Sequence, residues 1–578
     1  GGELEFALTR RNEVMLYVVL GVIAAVMRFC QLGSAPLSAS ESVTALSALR
    51  LARGGTEAAA QLPLSPLLHS LQALTFWIGG TATEALARFW PALAGSGVVF
   101  WPLLLRDQIG RGAALLAVFI MALSSALWAV SRTGDGLTLA LLCGLLVAAG
   151  WQWFVLRSDR RGLTLAAMAL GAGLASGPHF VGLLFLGGAA MLLRLATLQR
   201  LWKLLLPDLP RWALPAGLTF VLSATAFLRY PLGLSASGES WASWFTNWLP
   251  TEGQRPAFLI PALAALYQPL TVLLGLAGAY RAARGDQLAR HLLAMAAAGL
   301  LYSAAYSGRQ SGDLVWMLLP LYLLAALVVV SAWRGAWPAS ELSTVAAMVG
   351  AMVMVLGFGY LLVAGFAAGR TLVWATGGWD AILQLAILLI LAVLLVLLFA
   401  SAWSWRIAWR GTVTTMFVAL AGWGFHSRAL LMQKPLEPGL DLWFEERSSA
   451  STEMMMQTIE DVSVRAVGQR REVEIFVLGD ANEKLMWLLR EYPNVKWSHL
   501  PSAEVTSPVV ITLGDASVAR LGDSYLGQEF ADNVYWQGGL RGSSQWAEYL
   551  LFRRASVRLT KSVLWVREDV QLAADAEG

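Results

Sequence analysis

The sequence FCQLGSAPLSASESVTALSALR, residues 29–50, begins a long polar excursion directly after the first apolar segment. This excursion is long and changes from polar to amphipathic along its length. Most later connections between apolar segments are short. Ser38 and Glu41 have the spacing of a capping box, in which Ser38 caps a helix and Glu41 reaches back to it. Glu41 therefore has two open interpretations, a helix cap only or a carboxylate that also contacts a substrate.

The composition of the whole chain is that of a polytopic membrane protein. Of 578 residues, 57% are hydrophobic and only 14% are charged, with a mean hydropathy of +0.59. Soluble domains carry about a quarter charged residues. The 26 Trp and 54 Gly fit this class, since Trp gathers at membrane interfaces and Gly is frequent in membrane helices. A net charge of +4 is too small to indicate a nucleic-acid partner.

Apolar segments of near-spanning length recur through the first three quarters of the chain. A spanning helix needs about 20 apolar residues, and about thirteen candidates are expected. They cover residues 14–31, 93–105, 112–130, 136–156, 162–176, 180–194, 212–228, 258–280, 290–306, 314–333, 343–366, 381–400 and 412–430. This predicts an α-helical polytopic membrane protein.

The arginines alternate between successive connections, which predicts an orientation. Lys and Arg concentrate in cytoplasmic loops, and with a cytoplasmic N-terminus the even-numbered connections carry most of them. The excursion at 32–92 and the chain after about 433 would then lie outside the cytoplasm. We therefore expect a multi-pass protein of the cytoplasmic (plasma) membrane with an extracytoplasmic C-terminal domain.

The chain divides into three parts by composition. Residues 1–432 form the expected transmembrane domain, 433–470 a linker with one amphipathic helix, and 471–578 a small soluble α/β domain. In the last part, EVEIFVLG (472–479), PVVITLG (508–514) and KSVLWV (561–566) have strand length, and ANEKLMWLLREY (481–492) has helical spacing.

Two amphipathic helices are expected within the excursion. Val43, Leu46, Leu49 and Leu51 give the first an apolar face, and the second covers Pro66 to Ile78. Helices of this kind lie in the plane of a membrane surface. Both are predicted to rest on the outer leaflet.

Four further residues are candidates for binding, each with a structural alternative. Arg88 could snorkel to the interface or hold a lipid phosphate. Arg132 follows Ser131 in an outer loop and leans towards a structural role. Asp135 could cap the next helix or act on substrate. His179 follows Pro178 at a helix start, where a structural role is the alternative to binding. The five His are isolated and no HExxH spacing occurs, so no metal site is expected.

The motif RFCQLGSAPLSASES (28–42) resembles the first extracytoplasmic loop of the GT-C glycosyltransferases. The likeness is to glycosyltransferase family 39, with its protein mannosyltransferase and aminoarabinose transferase relatives, and most to the flippase-associated glycosyltransferase-like branch. SPLLHSLQALTFWIGG (65–80), ARFWPAL (87–93) and WLLREYPNVKW (487–497) extend it. The matching positions of the first motif are Arg28, Phe29, Leu32, Gly33, Pro36, Leu37, Glu41 and Ser42.

The resemblance implies a GT-C fold and an activity. An acidic residue of the first loop would act as general base on an acceptor that attacks a sugar carried on polyprenyl phosphate, and Glu41 is the candidate base here. Arg88, Arg132, Asp135 and His179 would contact the lipid-linked donor or a protein or glycan acceptor. Besides this donor substrate, no cofactor is expected.

Several polar positions depart from the family pattern. Ser40 stands where the family has aspartate, SGPHF (176–180) replaces a Lys-Glu pair, and SGDLVW (311–316) replaces a Gly-Glu-Lys segment. Three hypotheses stay open: an active glycosyltransferase, a catalytically inactive homologue that serves as a scaffolding subunit of a membrane or cell-envelope complex with other membrane subunits, and a lipid-linked-sugar binding or flipping partner.

Overall fold

The computed structural model describes most of the chain. The described residues are 10–55, 62–192, 206–250, 255–333, 339–367, 379–432 and, between 441 and 570, all except 445, 450, 481, 500–504, 514–520, 522–523, 537–542 and 553–556.

The first part of the chain is helical, and every one of the thirteen predicted apolar segments coincides with a helix or a consecutive pair of helices. Three short 3-10 helices occur at Trp101–Leu105, Leu206–Asp208 and Ser311–Asp313. The α-helices are α1 (Arg10–Phe29), α2 (Ala39–Ala52), α3 (Pro66–Gly79), α4 (Glu84–Ala87), α5 (Phe89–Val98), α6 (Arg106–Ile109), α7 (Arg111–Leu123), α8 (Ser125–Val130), α9 (Leu137–Arg157), α10 (Arg160–Leu174), α11 (Pro178–Leu192), α12 (Leu209–Ala224), α13 (Gly233–Thr246), α14 (Leu259–Tyr267), α15 (Pro269–Ala283), α16 (Gln287–Ala305), α17 (Leu314–Ala332), α18 (Ala339–Ala367), α19 (Trp379–Ala402) and α20 (Trp405–Met432).

These helices make the chain a multi-pass membrane protein. Within the described residues, seven helices are long and apolar enough to cross a membrane, or up to eight if a bent pair forms one span. The expected number of about thirteen is not confirmed by this count. Shorter apolar helices, among them Arg111–Leu123, are left outside it.

The segment predicted as one straight span over 258–280 is broken instead. Its two helices, α14 and α15, meet at an angle of 102°. The break falls at Gln268, directly before Pro269, which has no N–H to continue the first helix and starts the second. The buried Gln268 amide is held there, because its Nε2 donates to Ser124 Oγ at 3.0 Å and its Oε1 accepts from Thr271 Oγ1 at 2.9 Å.

Helix α17 lies at the centre of the bundle. Almost all of its residues are buried, as expected for a helix that is apolar on every side. Two glycines of α15 let that helix approach closely, since a Cβ on Gly275 would lie 2.7 Å from Leu321 and one on Gly278 would lie 3.0 Å from Leu324. The membrane domain is thus packed around α17.

In the described part of the tail the chain forms a six-stranded sheet with helices. The elements are β1 (Glu446–Ser448), α21 (Ser451–Val467), β2 (Ile475–Leu478), α22 (Glu483–Leu488), β3 (Val495–Ser498), β4 (Val509–Leu513), β5 (Tyr525–Trp536), α23 (Ser543–Phe552) and β6 (Val557–Arg567). Strands β2, β4 and β6 fall on the three predicted strand segments, and α22 falls on the predicted helix. The strand order is β1-β5-β6-β4-β2-β3, with β2 parallel to β3 and β4 and the other pairs antiparallel.

The folded tail includes part of the segment that we predicted as the linker 433–470. Helix α21 inserts Met455 and Ile459 into the same core as Ile475 and Val477 of strand β2. Strand β1 pairs with β5 in antiparallel register. The amphipathic helix predicted for the linker is therefore a layer of the sheet domain.

Helices α2 and α3 lie where the two amphipathic helices were predicted, but the apolar face of α2 is covered by protein. Leu46, Leu49 and Leu51 are buried in one cluster with Phe76 of α3 and Trp487 of the tail. The expectation that this face rests on the outer leaflet is wrong. The reason is a contact between parts of the chain that are more than 400 residues apart.

Candidate functional site

The predicted capping box at the start of α2 is confirmed. Ser38 Oγ accepts the backbone N–H of Glu41 at 3.3 Å, and Glu41 Oε2 accepts the backbone N–H of Ser38 at 2.9 Å. Each side chain thus satisfies a backbone donor that the first turn of a helix leaves open.

Glu41 also forms an ion pair with Arg88 through both of its oxygens. Arg88 Nε donates to Oε1 at 2.9 Å and Nη2 donates to Oε2 at 2.7 Å. Both side chains are only 9% exposed. A two-point pair of this kind fixes orientation as well as charge, so α2 is tied to the residue that precedes α5.

The remaining donors of Arg88 hold the loop before α2. Nη1 donates to the carbonyl of Ala35 at 2.8 Å and Nη2 to that of Pro36 at 3.1 Å. We expected Arg88 either to snorkel or to hold a lipid phosphate. The structure shows a third arrangement, in which the guanidinium is enclosed by the first loop and its carboxylate.

Gly134 completes the surroundings of the Glu41 carboxylate. Its backbone N–H donates to Oε1 at 2.9 Å, so each carboxylate oxygen accepts two hydrogen bonds. Burial would raise the pKa of Glu41, but the charge of Arg88 and the hydrogen bonds from Arg88, Ser38 and Gly134 outweigh it and lower the pKa. Glu41 is an ionised group with every acceptor position in use.

Asp135 is the second carboxylate of this site. Oδ1 accepts the backbone N–H of Leu137 at 3.0 Å, and Oδ2 accepts the hydroxyl of Thr133 at 3.2 Å. Burial raises the pKa of Asp135; the nearby charge of Glu41 acts in the same direction, while His179 and the two hydrogen bonds oppose it. Asp135 precedes Gly136, the N-cap residue of α9, and accepts the first N–H of that helix. Among the described residues, acceptor positions remain on both of its oxygens.

His179 lies in the first turn of α11 and faces a third carboxylate, that of Asp313. His179 Nδ1 is 3.9 Å from Asp313 Oδ1. Asp313 is held by Trp316 Nε1, which donates to Oδ1 at 3.0 Å, and by the backbone N–H of Gln310, which donates to Oδ2 at 2.8 Å. His179 also lowers the pKa of Asp135 electrostatically.

Arg132 caps the end of α1. Its Nη1 donates to the carbonyls of Arg28 at 2.8 Å and Cys30 at 2.7 Å, and its Nη2 donates to that of Gln31 at 2.6 Å. Burial lowers the pKa of Arg132 to about 10, and the positive charge of Arg88 adds to this. Arg132 therefore makes the kind of structural contacts towards which the sequence leaned.

Ser40, which stands at the position of the family aspartate, is exposed beside this cluster. Its Oγ lies 3.2 Å from Ser38 Oγ. The sequence carried no signal for two neighbours of the site, Gly134 and Ser448 of strand β1, whose hydroxyl donates to the carbonyl of Leu37 at 3.1 Å. Asp313 lies in SGDLVW (311–316), a segment that departs from the family pattern.

The core beneath the first loop contains a histidine that folding keeps neutral. His69 of α3 is fully buried, with Nε2 at 3.1 Å from Ser47 Oγ, and burial lowers its pKa to about 4. The unfolded chain takes up a proton at its ordinary pKa of about 6.5. Between these two values the unfolded state therefore binds more protons, so stability must fall as the pH falls.

We expect His69→Gln to reduce this acid sensitivity. The measurement is the thermal unfolding of wild type and variant from pH 7 to pH 4.5. The difference between their unfolding temperatures should narrow as the pH falls below about 6.5. A gap that does not change with pH would show that His69 does not titrate on unfolding.

Among the described residues, no group of three or more His, Cys, Asp or Glu side chains is placed to hold a metal ion. The site offers instead the ion pair Glu41–Arg88, the half-buried carboxylate of Asp135, and the His179–Asp313 pair. Such an arrangement can bind polar groups and hold a proton.

Comparisons with known proteins bear on the fold. The sequence matches no protein-family model and no curated protein. Among solved structures, the chain is similar to ArnT from Cupriavidus metallidurans bound to undecaprenyl phosphate, with 15% identity over 86% of this chain and 92% of that chain and a TM-score of 0.47. It is also similar to an Archaeoglobus fulgidus oligosaccharyltransferase, with 12% identity over 85% and 65% of the two chains and a TM-score of 0.44.

Both neighbours are GT-C proteins. The first loop resembles the same superfamily, and this resemblance stays a prediction.

Proposed function

We propose that the chain is a GT-C-type membrane glycosyltransferase that moves a sugar from polyprenyl phosphate to a hydroxyl acceptor on the outer face of the membrane, with Asp135 as general base. The observation that supports this is the contrast between two neighbouring carboxylates. Glu41 is saturated by hydrogen bonds, whereas Asp135 has a raised pKa and free acceptor positions.

A general base must accept a proton within hydrogen-bond distance of the acceptor. A carboxylate has about four lone-pair positions, and among the described residues the hydrogen bonds of Asp135 fill one on each oxygen. Burial raises the pKa of Asp135, which moves it in the direction of the operating pH, where a general base works best. Glu41 would offer open acceptor positions only if its pair with Arg88 opened.

Glu41 and Arg88 then have a positioning role. Their pair joins the first loop, the start of α5 and the loop at Gly134, which is adjacent in sequence to Asp135. Arg132, which holds the carbonyls after α1, supports the same loop. These residues keep the base in place and do not touch the reacting atoms.

The proposed reaction is a single displacement. Asp135 takes the proton of the acceptor hydroxyl as the acceptor oxygen bonds to the anomeric carbon, the bond from that carbon to the phosphate oxygen breaks, and polyprenyl phosphate leaves with the electron pair. The configuration at the anomeric carbon inverts. In this mechanism His179, whose Nδ1 is 3.9 Å from Asp313 Oδ1, would contact the substrate.

Replacing Asp135 tests this mechanism in purified protein supplied with a panel of polyprenyl-phosphate sugars and acceptors. Asp135→Asn keeps the size and much of the capping ability of the side chain but cannot take the proton, so we expect at least about a 100-fold loss of transfer. Asp159→Asn is the matched control, because Asp159 caps α10 by accepting the N–H of Arg161 at 3.0 Å and lies at the other end of α9 from Asp135. Equal transfer by both variants would remove Asp135 from the mechanism.

A second candidate function is a catalytically inactive homologue that scaffolds a membrane or cell-envelope assembly. Ser40 in place of the family aspartate and the saturated Glu41 favour it. Under this reading the wild-type protein transfers no sugar from any donor of the panel, while it still folds and copurifies with other membrane subunits. Transfer by the wild type that survives Asp159→Asn would exclude it.

A further inference from the structure

Arg28, in the last turn of α1, is an enclosed cation with an incomplete set of partners. The residue is fully buried. Its Nε donates to Ser131 Oγ at 3.1 Å and its Nη1 to the carbonyl of Ala24 at 3.1 Å. Its Nη2 is buried and has no hydrogen-bond partner in the described part of the chain.

A second buried arginine lies close enough to act electrostatically on the first. Arg428, in the last turns of α20, is 9% exposed, and its guanidinium lies 4.5 Å from the ring centre of Phe425. Its Nη1 reaches the sulfur of Met27 at 3.5 Å, one residue from Arg28. The hydroxyl of the adjacent Ser427 is also buried without a partner among the described residues.

No carboxylate in the described ranges lies within 4 Å of either guanidinium; their contacts are one carbonyl, a hydroxyl, a sulfur and a ring. Two buried charges of the same sign repel one another, and taking each out of water costs several kcal/mol unless an opposite charge compensates. The partial negative charge at the end of α1 supplies about half a unit at most. The pair therefore lacks an anion.

The position of the pair indicates where such an anion would come from. Arg28 and Arg428 lie near the C-terminal ends of α1 and α20, and both helices expose apolar residues beside them, Val26 and Phe425. Helix α1 is long and apolar enough to cross a membrane, so its exposed apolar face would contact lipid. The end of a spanning helix lies near the level of the lipid headgroups, where the common anion is phosphate.

We propose that Arg28 and Arg428 form a binding site for the phosphate group of a membrane lipid between α1 and α20. The planar guanidinium forks suit phosphate oxygens, which can accept from the free Nη2 of Arg28 and from Arg428 together. A phospholipid headgroup and a polyprenyl phosphate share this chemistry. The site does not depend on sugar transfer, so it stands or fails separately from the proposed reaction.

Native mass spectrometry of the full-length protein, released from nanodiscs of phosphatidylcholine with a minor fraction of phosphatidylglycerol, tests the proposal. We expect one anionic lipid to be retained by the wild type and its apparent affinity to fall at least about tenfold in Arg428→Leu, because charge-assisted hydrogen bonds are lost. Arg428→Lys should recover part of it. Arg284→Leu is the matched control, since Arg284 also stacks on a ring, that of Tyr280 at 4.8 Å.

A parallel set of nanodiscs with undecaprenyl phosphate in place of phosphatidylglycerol distinguishes the two lipid sources. Retention of either lipid that depends on Arg428 and not on Arg284 supports the site and names its lipid. Retention that is equal in Arg428→Leu and wild type, or no retention of an anionic lipid by the wild type, would overturn it. Thermal unfolding of Arg428→Leu in detergent shows whether the variant folds.

Discussion

Replacing Arg88 by Met is expected to destabilise the protein by about 3–5 kcal/mol, the cost of leaving one member of a buried ion pair unpaired. Glu41 would then be a buried carboxylate without its guanidinium, and the carbonyls of Ala35 and Pro36 would lose their donors. Met matches the length of the arginine stem, so packing changes little. Thermal unfolding of the detergent-solubilised protein measures the loss.

Two further variants separate the ion pair from general effects of arginine removal. Arg211→Met removes an exposed partner of Asp208, and exposed pairs contribute about 0–1 kcal/mol. The double variant Glu41→Gln with Arg88→Met should lose less than the sum of the single changes, since neither then leaves a buried charge. Additive losses would show that Glu41 and Arg88 are not energetically coupled.

This pair also shows what the sequence could and could not predict at the site. The capping box of Ser38 and Glu41 was predictable because its partners are three residues apart and the motif is local. The pairing of Glu41 with Arg88 joins residues 47 positions apart, and nothing in either segment names the other. A local pattern thus identified the capping carboxylate but not its counter-ion, and the counter-ion changes the role that we propose for it.

The fold divides in the same way. Apolar segments predicted helices because a membrane helix satisfies its own backbone, which makes its signal local. Gln268–Pro269 did carry a signal for a break, but apolar residues on both sides favoured one continuous span. The sequence predicted an amphipathic helix in the segment 433–470, and the structure packs the apolar face of α21 into the core of the sheet. An amphipathic pattern indicates that one face of a helix is covered, but it does not identify the element that covers it.

Trp487→Ala is the second variant from which we expect a large effect, because Trp487 belongs to the part of the tail that covers the first loop. Trp487 is fully buried between α2 and α3, where Phe76 lies 6.0 Å away, ring centre to ring centre. Its Nε1 donates to Glu84 Oε1 at 3.0 Å. Truncation of a buried Trp costs about 3–5 kcal/mol, and here much of it falls on the contact between the sheet domain and the first loop.

Loss of that contact should expose the backbone of the first loop while the bundle stays folded. Arg490 is the other major anchor, donating to the carbonyl of Ala82 at 2.9 Å and pairing with Glu84 at 3.3 Å, and it stacks on Trp487 itself. In Trp487→Ala we therefore expect faster amide exchange in α2 and α3, with exchange in the buried helix α17 unchanged.

A matched pair of milder variants isolates the indole N–H of Trp487. Trp487→Phe loses the donor to Glu84 across the interface, and Trp565→Phe loses the donor to Thr512 at 3.1 Å within the sheet. Each should cost about 1 kcal/mol or somewhat more, but only the first should accelerate exchange in α2 and α3. If amide exchange in α2 and α3 stays at the wild-type rate in both Trp487→Phe and Trp487→Ala, the tail does not hold the first loop.

The same contact bears on the ion pair of the site. Because Glu84 is close in sequence to Arg88, loss of the contact between Trp487 and Glu84 should also loosen the Glu41–Arg88 pair.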